Sequence, residues 1–283
     1  MTARNLVTGA QNTWCPGCGN FVIQFAIKNT IQELVKEGTD PDRIVLVTGI
    51  GCHAKMADYL NINSFYSIHG RTLPVATAIK MANPDLVVLA CAGDGDCYAE
   101  GLDHLVFAAK RNTDITLVVH NNRVYGLTTG QYTPTSPLGF RGRSTPGGTL
   151  EDPFNPLEIV LASGATYVAR GCTRRMDLLQ KVILGGLRHR GFAFIDVLQV
   201  CASYFNLSDY YDEKVYEIRD HDERDYGAAF MKAREWDYNS DAPIGLGILY
   251  RSEKATLEER LALHRGPGKD RAATIKKILD KKV

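Results

Sequence analysis

Leu86-Val87-Val88-Leu89-Ala90-Cys91-Ala92-Gly93-Asp94-Gly95-Asp96 is an apolar, β-branched run that stops on two glycines and two carboxylates. Its first five residues predict a strand buried on both faces, because continuous apolar runs of this length belong to covered parallel sheets. Four further runs share the character: Ile44 to Thr48, Ile115 to His120, Thr166 to Ala169 and Phe192 to Val197. Helical spacing fills the intervals at Phe21 to Lys36, Leu73 to Ala82, Glu100 to Lys110 and Met176 to His189. Asn83-Pro84 ends the second of these, since proline disfavours helical geometry in the residue before it. This alternation predicts an α/β fold: a mainly parallel sheet with helices on both faces.

Two stretches depart from the alternation. Gln131 to Pro153 is rich in Thr, Pro, Ser and Gly and too long for a plain connector, which marks it as functional or disordered. Beyond Cys201 the chain turns polar and aromatic, with helical segments near Arg224 to Trp236 and Thr256 to Leu263. The expected division is an α/β domain over 1–205 and a polar C-terminal extension over 206–283. The extension reads as partner-contacting, with a small solvated helical cap as the alternative.

The 33 basic and 32 acidic side chains leave a formal charge of +1, so no global field points to nucleic acid or an acidic membrane. Arg174-Arg175 and Lys269 to Lys282 are local basic clusters that read as solvated helix faces. Met1 to Gln11 carries no basic-then-apolar pattern, and no run of about 18 apolar residues predicts a membrane span. Seven cysteines without an export signal suit reduced thiols rather than a disulfide framework, so the expected compartment is the cytoplasm.

Ligands of open α/β sheets bind at the carboxyl ends of the strands. Gly93-Asp94-Gly95-Asp96 occupies such an end, where glycine lets the backbone approach a phosphate and Asp94 offers a hard oxygen for Mg²⁺. A tight turn is the bland alternative. Asn122 follows the next predicted strand, and one crossover therefore brings an amide oxygen to the same edge, with the Val124 carbonyl as a third donor. Mg²⁺ needs only a few protein oxygens when phosphate supplies the rest.

Gly-Asp-Gly followed after some thirty residues by Asn-Asn resembles the thiamine diphosphate motif of transketolases, pyruvate decarboxylases and 2-oxoacid:ferredoxin oxidoreductases. Tyr125-Gly126-Leu127-Thr128, then Gly130-Gln131, most resembles the last family, in its β subunit. The resemblance implies that Asp94, Asn122 and Val124 hold Mg²⁺. It implies cofactor contacts at Gly51, Cys52, His69, Gly93, Asp94, Gly95, Asp96, Asn122, Val124, Tyr125, Gly126, Leu127 and Thr128.

Cys15-Pro16-Gly17-Cys18 opens the first helix. By itself the pair also fits a zinc half-site or a redox dithiol, but no strand precedes it and no second close pair exists. Cys52 and Cys201 each follow a predicted strand at the edge that carries Asp94. A pair plus two singles matches one [4Fe-4S] cluster, and the resemblance assigns Cys15, Cys18, Cys52 and Cys201 as its ligands. Cys91 reads as a buried strand residue and Cys97 as the rival ligand. Gly49-x-Gly51 also suggests a dinucleotide turn, but no acidic residue stands at a strand end about 20 residues on.

Ile68-His69-Gly70-Arg71-Thr72 resembles the family's His-Gly-Arg segment. It implies a substrate-facing His69 and an Arg71 that holds the loop or an acidic group; a capped helix start is the alternative for each. His53 is marked only by adjacency to Cys52, which an exposed position would explain. Lys55, within the resemblance, looks like the partner of the distal carboxylate of 2-oxoglutarate. The implied reaction is coenzyme A-dependent oxidative decarboxylation, 2-oxoglutarate to succinyl-CoA and CO₂, with electrons passed through the cluster to ferredoxin and reversal as reductive carboxylation. Pyruvate or broad 2-oxoacid specificity is the alternative, as is a non-redox thiamine decarboxylase or transketolase-like protein. The implied partner is a larger α subunit in an (αβ)₂ heterotetramer.

Overall fold

The structure, a computed structural model, describes residues 5–262 and 271–281. The first half contains α1 (Asn20–Lys36), β1 (Ile44–Thr48), α2 (Met56–Tyr59), β2 (Asn63–Tyr66), α3 (Thr72–Ala82), β3 (Val87–Gly93), α4 (Leu102–Arg111) and β4 (Thr116–Asn121). A short ribbon, β5 (Val124–Tyr125) with β6 (Gln131–Tyr132), precedes α5 (Pro156–Ala162), β7 (Tyr167–Cys172), α6 (Met176–Arg188) and β8 (Ala193–Leu198). The remainder is α7 (Ser208–Lys214), β9 (Val215–Glu217), α8 (Tyr226–Arg234), β10 (Ile244–Arg251), α9 (Leu257–Arg260) and α10 (Arg271–Leu279). Residues 1–4 of the N-terminal stretch, and Lys269 and Lys282 of the basic cluster, lie outside the described residues.

Eight strands form one sheet in the order β2-β1-β3-β4-β8-β7-β10-β9. The first six are mutually parallel, as the alternation predicts. β4, β7 and β8 are buried at every position, which is why they read as continuous apolar runs. Successive strand residues point to opposite faces. Leu46 and Leu89 thus join α1 and α6 in one core, through Ile23, Ile27, Leu179 and Val182. Val47, Val88 and Ala90 join α3, α4, α5 and α8 in the other, through Leu73, Leu105, Val160 and Ala233. Helices cover both faces.

The segment after residue 205, expected as a polar extension, is continuous with this sheet. β10 lies antiparallel beside β7 with Ile244, Leu246 and Leu249 buried, and β9 pairs parallel to it at the edge. Trp236 and Tyr238 are also buried. Gly245 and Gly247 interrupt the apolar pattern of β10 and hide it from a periodicity reading. The long stretch after Gln131 holds one two-residue strand and a series of turns, and its Thr133, Thr135 and Ser136 are buried. No helix among the described residues is long and apolar enough to cross a membrane.

β1 has β2 on one side and β3 on the other, so the chain changes direction across the sheet between β1 and β3. A crevice opens at such a switch point outside the carboxyl ends of the strands.

Candidate functional site

The loops after β1, β3, β4 and β8 meet at that crevice. Every residue expected to touch the cofactor, from Gly51 and Cys52 through Gly93–Asp96 to Asn122 and Val124–Thr128, lines it, together with His53, His69, His120 and Gln199. Asp94 is 2% exposed; its Oδ2 accepts from Thr133 Oγ1 at 2.5 Å and lies 3.1 Å from Thr135 Oγ1, whose one hydrogen it shares with Asn121 Oδ1 at 2.8 Å. Burial pushes its carboxyl up to about 7 against those hydroxyl bonds. Among the described residues this buried carboxyl is supplied with hydroxyls but no cation, a setting that fits a metal ion. Asn122 Oδ1 accepts from Val124 N at 3.1 Å, which shapes the turn that carries both donors. Gly95 is needed sterically: a Cβ there would lie 2.3 Å from the Tyr125 ring, whose hydroxyl donates to the Gly95 carbonyl at 3.1 Å.

Asp96 turns away from the metal turn and pins the opposite wall. Its Oδ1 accepts from Gly70 N at 2.7 Å and lies 3.1 Å from His69 Nδ1. Its Oδ2 accepts from Thr72 Oγ1 at 3.3 Å and lies 3.5 Å from His53 Nε2. Burial works to raise the carboxyl, but the hydrogen bond and charge of His53, the Gly70 N–H and His69 outweigh it and hold the group below the usual carboxylate range. His53 is therefore not an exposed neighbour of Cys52. It is 4% exposed and faces His120 with ring centroids 5.7 Å apart. His69 lines the cleft, and its Nδ1 is also 3.1 Å from Glu100 Oε2. Arg71 donates to the carbonyls of Gly70 and Glu100, so its observed contact is with the loop. Lys55 is half-buried at the end of the turn Cys52–Lys55 and does not line the cleft.

The four cysteines gather at the same rim. A Cβ on Gly126 would sit 3.6 Å from Cys52 Sγ, 3.7 Å from Cys201 Sγ and 3.9 Å from Asn122 Nδ2. Burial, then Cys18, Cys201 and Cys15, push the Cys52 thiol up to about 11. Burial raises Cys18 as well, opposed by a backbone hydrogen bond from Asn20, with Cys201 and Cys15 adding to the rise. A positive charge placed among these thiols would relieve the mutual repulsion of their ionised forms. Gly19 N donates to Val200 O at 3.0 Å, and Trp14 Nε1 donates to Cys52 O at 2.7 Å, tying the pair to both single cysteines. Cys97 is buried beneath Asp94 and Asp96, away from this group, and Cys91 is buried in β3. Among the described residues no three His, Cys, Asp or Glu side chains close around one metal ion.

The C-terminal thiamine pyrophosphate-binding domain of thiamine pyrophosphate enzymes matches residues 49–197, and the C-terminal part of the pyruvate ferredoxin oxidoreductase β subunit matches 201–265. The chain is 41% identical over 268 residues to the 2-oxoacid:ferredoxin oxidoreductase subunit beta of Saccharolobus solfataricus, covering 89% of this chain and 86% of that one. It belongs to the β subunits of the 2-oxoacid:ferredoxin oxidoreductases. It is 42% identical over 192 residues to the 2-oxoglutarate synthase subunit KorB of Methanothermobacter thermautotrophicus, 68% of this chain and 66% of that one. A 2-oxoglutarate:ferredoxin oxidoreductase from Magnetococcus marinus, with 2-oxoglutarate, coenzyme A and succinyl-CoA bound, superposes with a TM-score of 0.85 at 34% identity, covering 95% of this chain and 94% of that one. The β subunit thus carries a thiamine diphosphate-binding domain, as its Gly-Asp-Gly and Asn-Asn turns suggest.

Several polar residues of this site carry no motif. His120 is buried at the end of β4; its Nδ1 is 2.8 Å from Asn20 Oδ1, and its Nε2 has no partner among the described residues. Burial, with His53 nearby, holds it well below the usual histidine range, so it is a neutral ring. Gln199 Nε2 donates to Cys18 Sγ at 3.7 Å. A histidine closing an apolar strand run is the signal that marks His120; Gln199 and Asn20 show none.

Proposed function

We propose that this β subunit, with a larger α subunit in an (αβ)₂ assembly, catalyses coenzyme A-dependent oxidative decarboxylation of 2-oxoglutarate to succinyl-CoA and CO₂, reversibly, with ferredoxin as electron partner. The observation that carries the reading is the gathering of Cys52, Cys201 and Asn122 around Gly126. It sets two of the four thiols beside the turn that carries Asn122 rather than elsewhere on the protein.

Asp94, Asn122 and the Val124 carbonyl would hold Mg²⁺ on the diphosphate, and Cys15, Cys18, Cys52 and Cys201 would hold the [4Fe-4S] cluster. When bound, thiamine diphosphate supplies the electron sink for loss of CO₂, Mg²⁺ neutralises the diphosphate, and the cluster provides a one-electron exit. The chain's own residues prepare that setting. The Thr133 and Thr135 hydroxyls fix Asp94 Oδ2 and leave Oδ1 without a side-chain partner among the described residues. Nδ1 of His69 faces the carboxylates of Asp96 and Glu100, which leaves Nε2 as the ring nitrogen able to meet a substrate oxygen. Arg71 keeps the His69 loop against Glu100. Lys55, on the turn begun by Cys52 but outside the cleft lining, would meet a distal carboxylate that projects beyond the cleft, which 2-oxoglutarate has and pyruvate lacks. The 2-oxoglutarate ligand and the KorB names among the relatives support the same choice.

Two measurements test the reading. Anaerobically purified complex should contain four irons and four sulfides per β chain, a loading lost in Cys201→Ser; an iron-free, cofactor-loaded complex would indicate a non-redox thiamine enzyme instead. Lys55→Ala should raise KM for 2-oxoglutarate about tenfold or more while changing that for pyruvate little, the usual loss for a charge-assisted contact. Equal effects on the two substrates would defeat the 2-oxoglutarate assignment.

A further inference from the structure

The sheet interior behind the diphosphate turn holds a buried carboxylate that the reaction does not use. Asp196 is fully buried in β8, between apolar neighbours. Both its oxygens are held: Tyr238 Oη donates to Oδ2 at 2.5 Å, while Tyr98 Oη at 2.7 Å and Asn121 Nδ2 at 3.0 Å donate to Oδ1. With its amide nitrogen donating to Asp196, Asn121 turns its oxygen the other way. That oxygen and Asp94 Oδ2 share the single Thr135 Oγ1 hydrogen in a three-centre bond, at 2.8 and 3.1 Å. The relay thus runs Tyr238, Asp196, Asn121, Thr135, Asp94, entirely through buried groups.

A second link runs parallel to it. The Arg123 guanidinium donates to the Thr135 carbonyl at 2.7 Å and to the Tyr238 carbonyl. Arg123 and Tyr238 adopt left-handed backbone conformations, at φ 61° and 67°. Non-glycine residues keep such conformations where the surroundings over-determine them, and these cluster at functional sites.

We infer that Asp196 is a positioning residue for the Asp94 carboxylate, acting through Asn121 and Thr135, and that Tyr238 of the C-terminal segment sets its orientation. This rests on Asp94 being the Mg²⁺–thiamine diphosphate ligand. Tyr238 is thereby part of the cofactor cradle although it stands far along the chain from every cofactor motif. Partners one bond removed from a metal ligand are worth about 10–100-fold in metal affinity. A cluster that merely fastened the C-terminal segment would change stability and leave that affinity alone.

The test uses the co-expressed complex stripped of Mg²⁺ and titrated with Mg²⁺ by calorimetry at saturating thiamine diphosphate, with melting temperatures of the stripped form in parallel. Tyr238→Phe keeps the ring that packs 4.3 Å from Trp236 and removes only the hydroxyl. Thr135→Val removes the relay hydroxyl at constant shape. Thr135→Val should weaken Mg²⁺ binding about tenfold or more and Tyr238→Phe, three residues farther along the relay, about threefold or more, while Thr135→Ser should stay within about twofold of the parent. Parent-like Mg²⁺ affinity in Tyr238→Phe and Thr135→Val overturns the inference, however far melting falls; either variant suffices if the other does not fold. Asp94→Ala separates the two levels. Loss of Mg²⁺ binding there with parent-like Thr135→Val defeats the positioning role alone, whereas undiminished binding in Asp94→Ala defeats the ligand assignment beneath it.

Discussion

Replacing Gly49 by alanine should break the site through Asp96. A methyl on Gly49 would lie 1.8 Å from Asp96 Oδ2, 2.6 Å from its Cγ and 2.6 Å from Thr72 Oγ1, so the carboxylate must leave. It would abandon the Gly70 N–H at 2.7 Å, the Thr72 hydroxyl at 3.3 Å and the contacts with His69 and His53 at 3.1 and 3.5 Å. Hydrogen bonds to a charged group contribute roughly 1.5–3 kcal/mol each, and breaking a buried charged pair costs roughly 3–5 kcal/mol, so the loss should be about 3–5 kcal/mol. At roughly 2–4 °C per kcal/mol, melting of the cofactor-free complex should fall by roughly 6–20 °C. The decisive comparison is the double variant. If the damage passes through the carboxylate, Asp96→Ala alone should cost about as much, and Gly49→Ala added to it should cost only what it takes to move the Thr72 hydroxyl, 2.6 Å from the methyl, into the vacated space. Additive losses in the double variant would refute Asp96 as the pin of this wall.

The Asp94 carboxyl, raised to about 7, has the opposite pH signature from Asp96. Between the ordinary carboxylate value and about 7 the folded state holds a proton that the unfolded chain has released. Cofactor-free stability should therefore fall as pH rises through that window, by up to about 1.4 kcal/mol per pH unit, and Asp94→Asn should flatten the slope in melts taken from pH 5 to 8. Asp96 is held low, so its contribution is complete above its unfolded value and fades as pH falls through the folded one; Asp96→Asn should remove that acid limb of the stability curve. Gly95→Ala would put its methyl 2.3 Å from the Tyr125 ring, so overpacking of roughly 1–3 kcal/mol and loss of the Tyr125 bond should follow. Gly95→Ala/Tyr125→Ala should recover stability relative to Gly95→Ala, as read from urea midpoints.

Much of this architecture is legible in the chain because the fold and the site share a cause. Parallel strands buried on both faces read as apolar runs, and ligand loops must hang from their carboxyl ends, so finding Leu86 to Ala90 also locates Asp94. β2 is legible neither by period nor by burial, being an exposed edge of Asn63, Ser64, Phe65 and Tyr66. β10 is lost behind its glycines. At the site, Asp94, Asn122 and the cysteines announce themselves by spacing. Thr133 and Thr135 do not, because their contact with Asp94 depends on how an irregular stretch of about twenty residues folds back. Asp196 carried a signal that was available: a carboxylate inside Phe194-Ile195-Asp196-Val197-Leu198 has to find donors in the interior.

The thiols of this rim lie far apart in the chain, Cys15 and Cys18 ahead of α1 and Cys201 just past β8. The seat of the N-terminal pair depends on late sequence: Gly19 bonds the carbonyl of Val200, and a Cβ on Gly19 would lie 2.6 Å from Gln199 Cγ. A growing chain on the ribosome therefore exposes three of the four sulfurs long before the fourth is made. The N-terminal pair can take this seat only once β8, the last of the six mutually parallel strands, stands between β4 and β7 and brings Gln199 and Val200 into place.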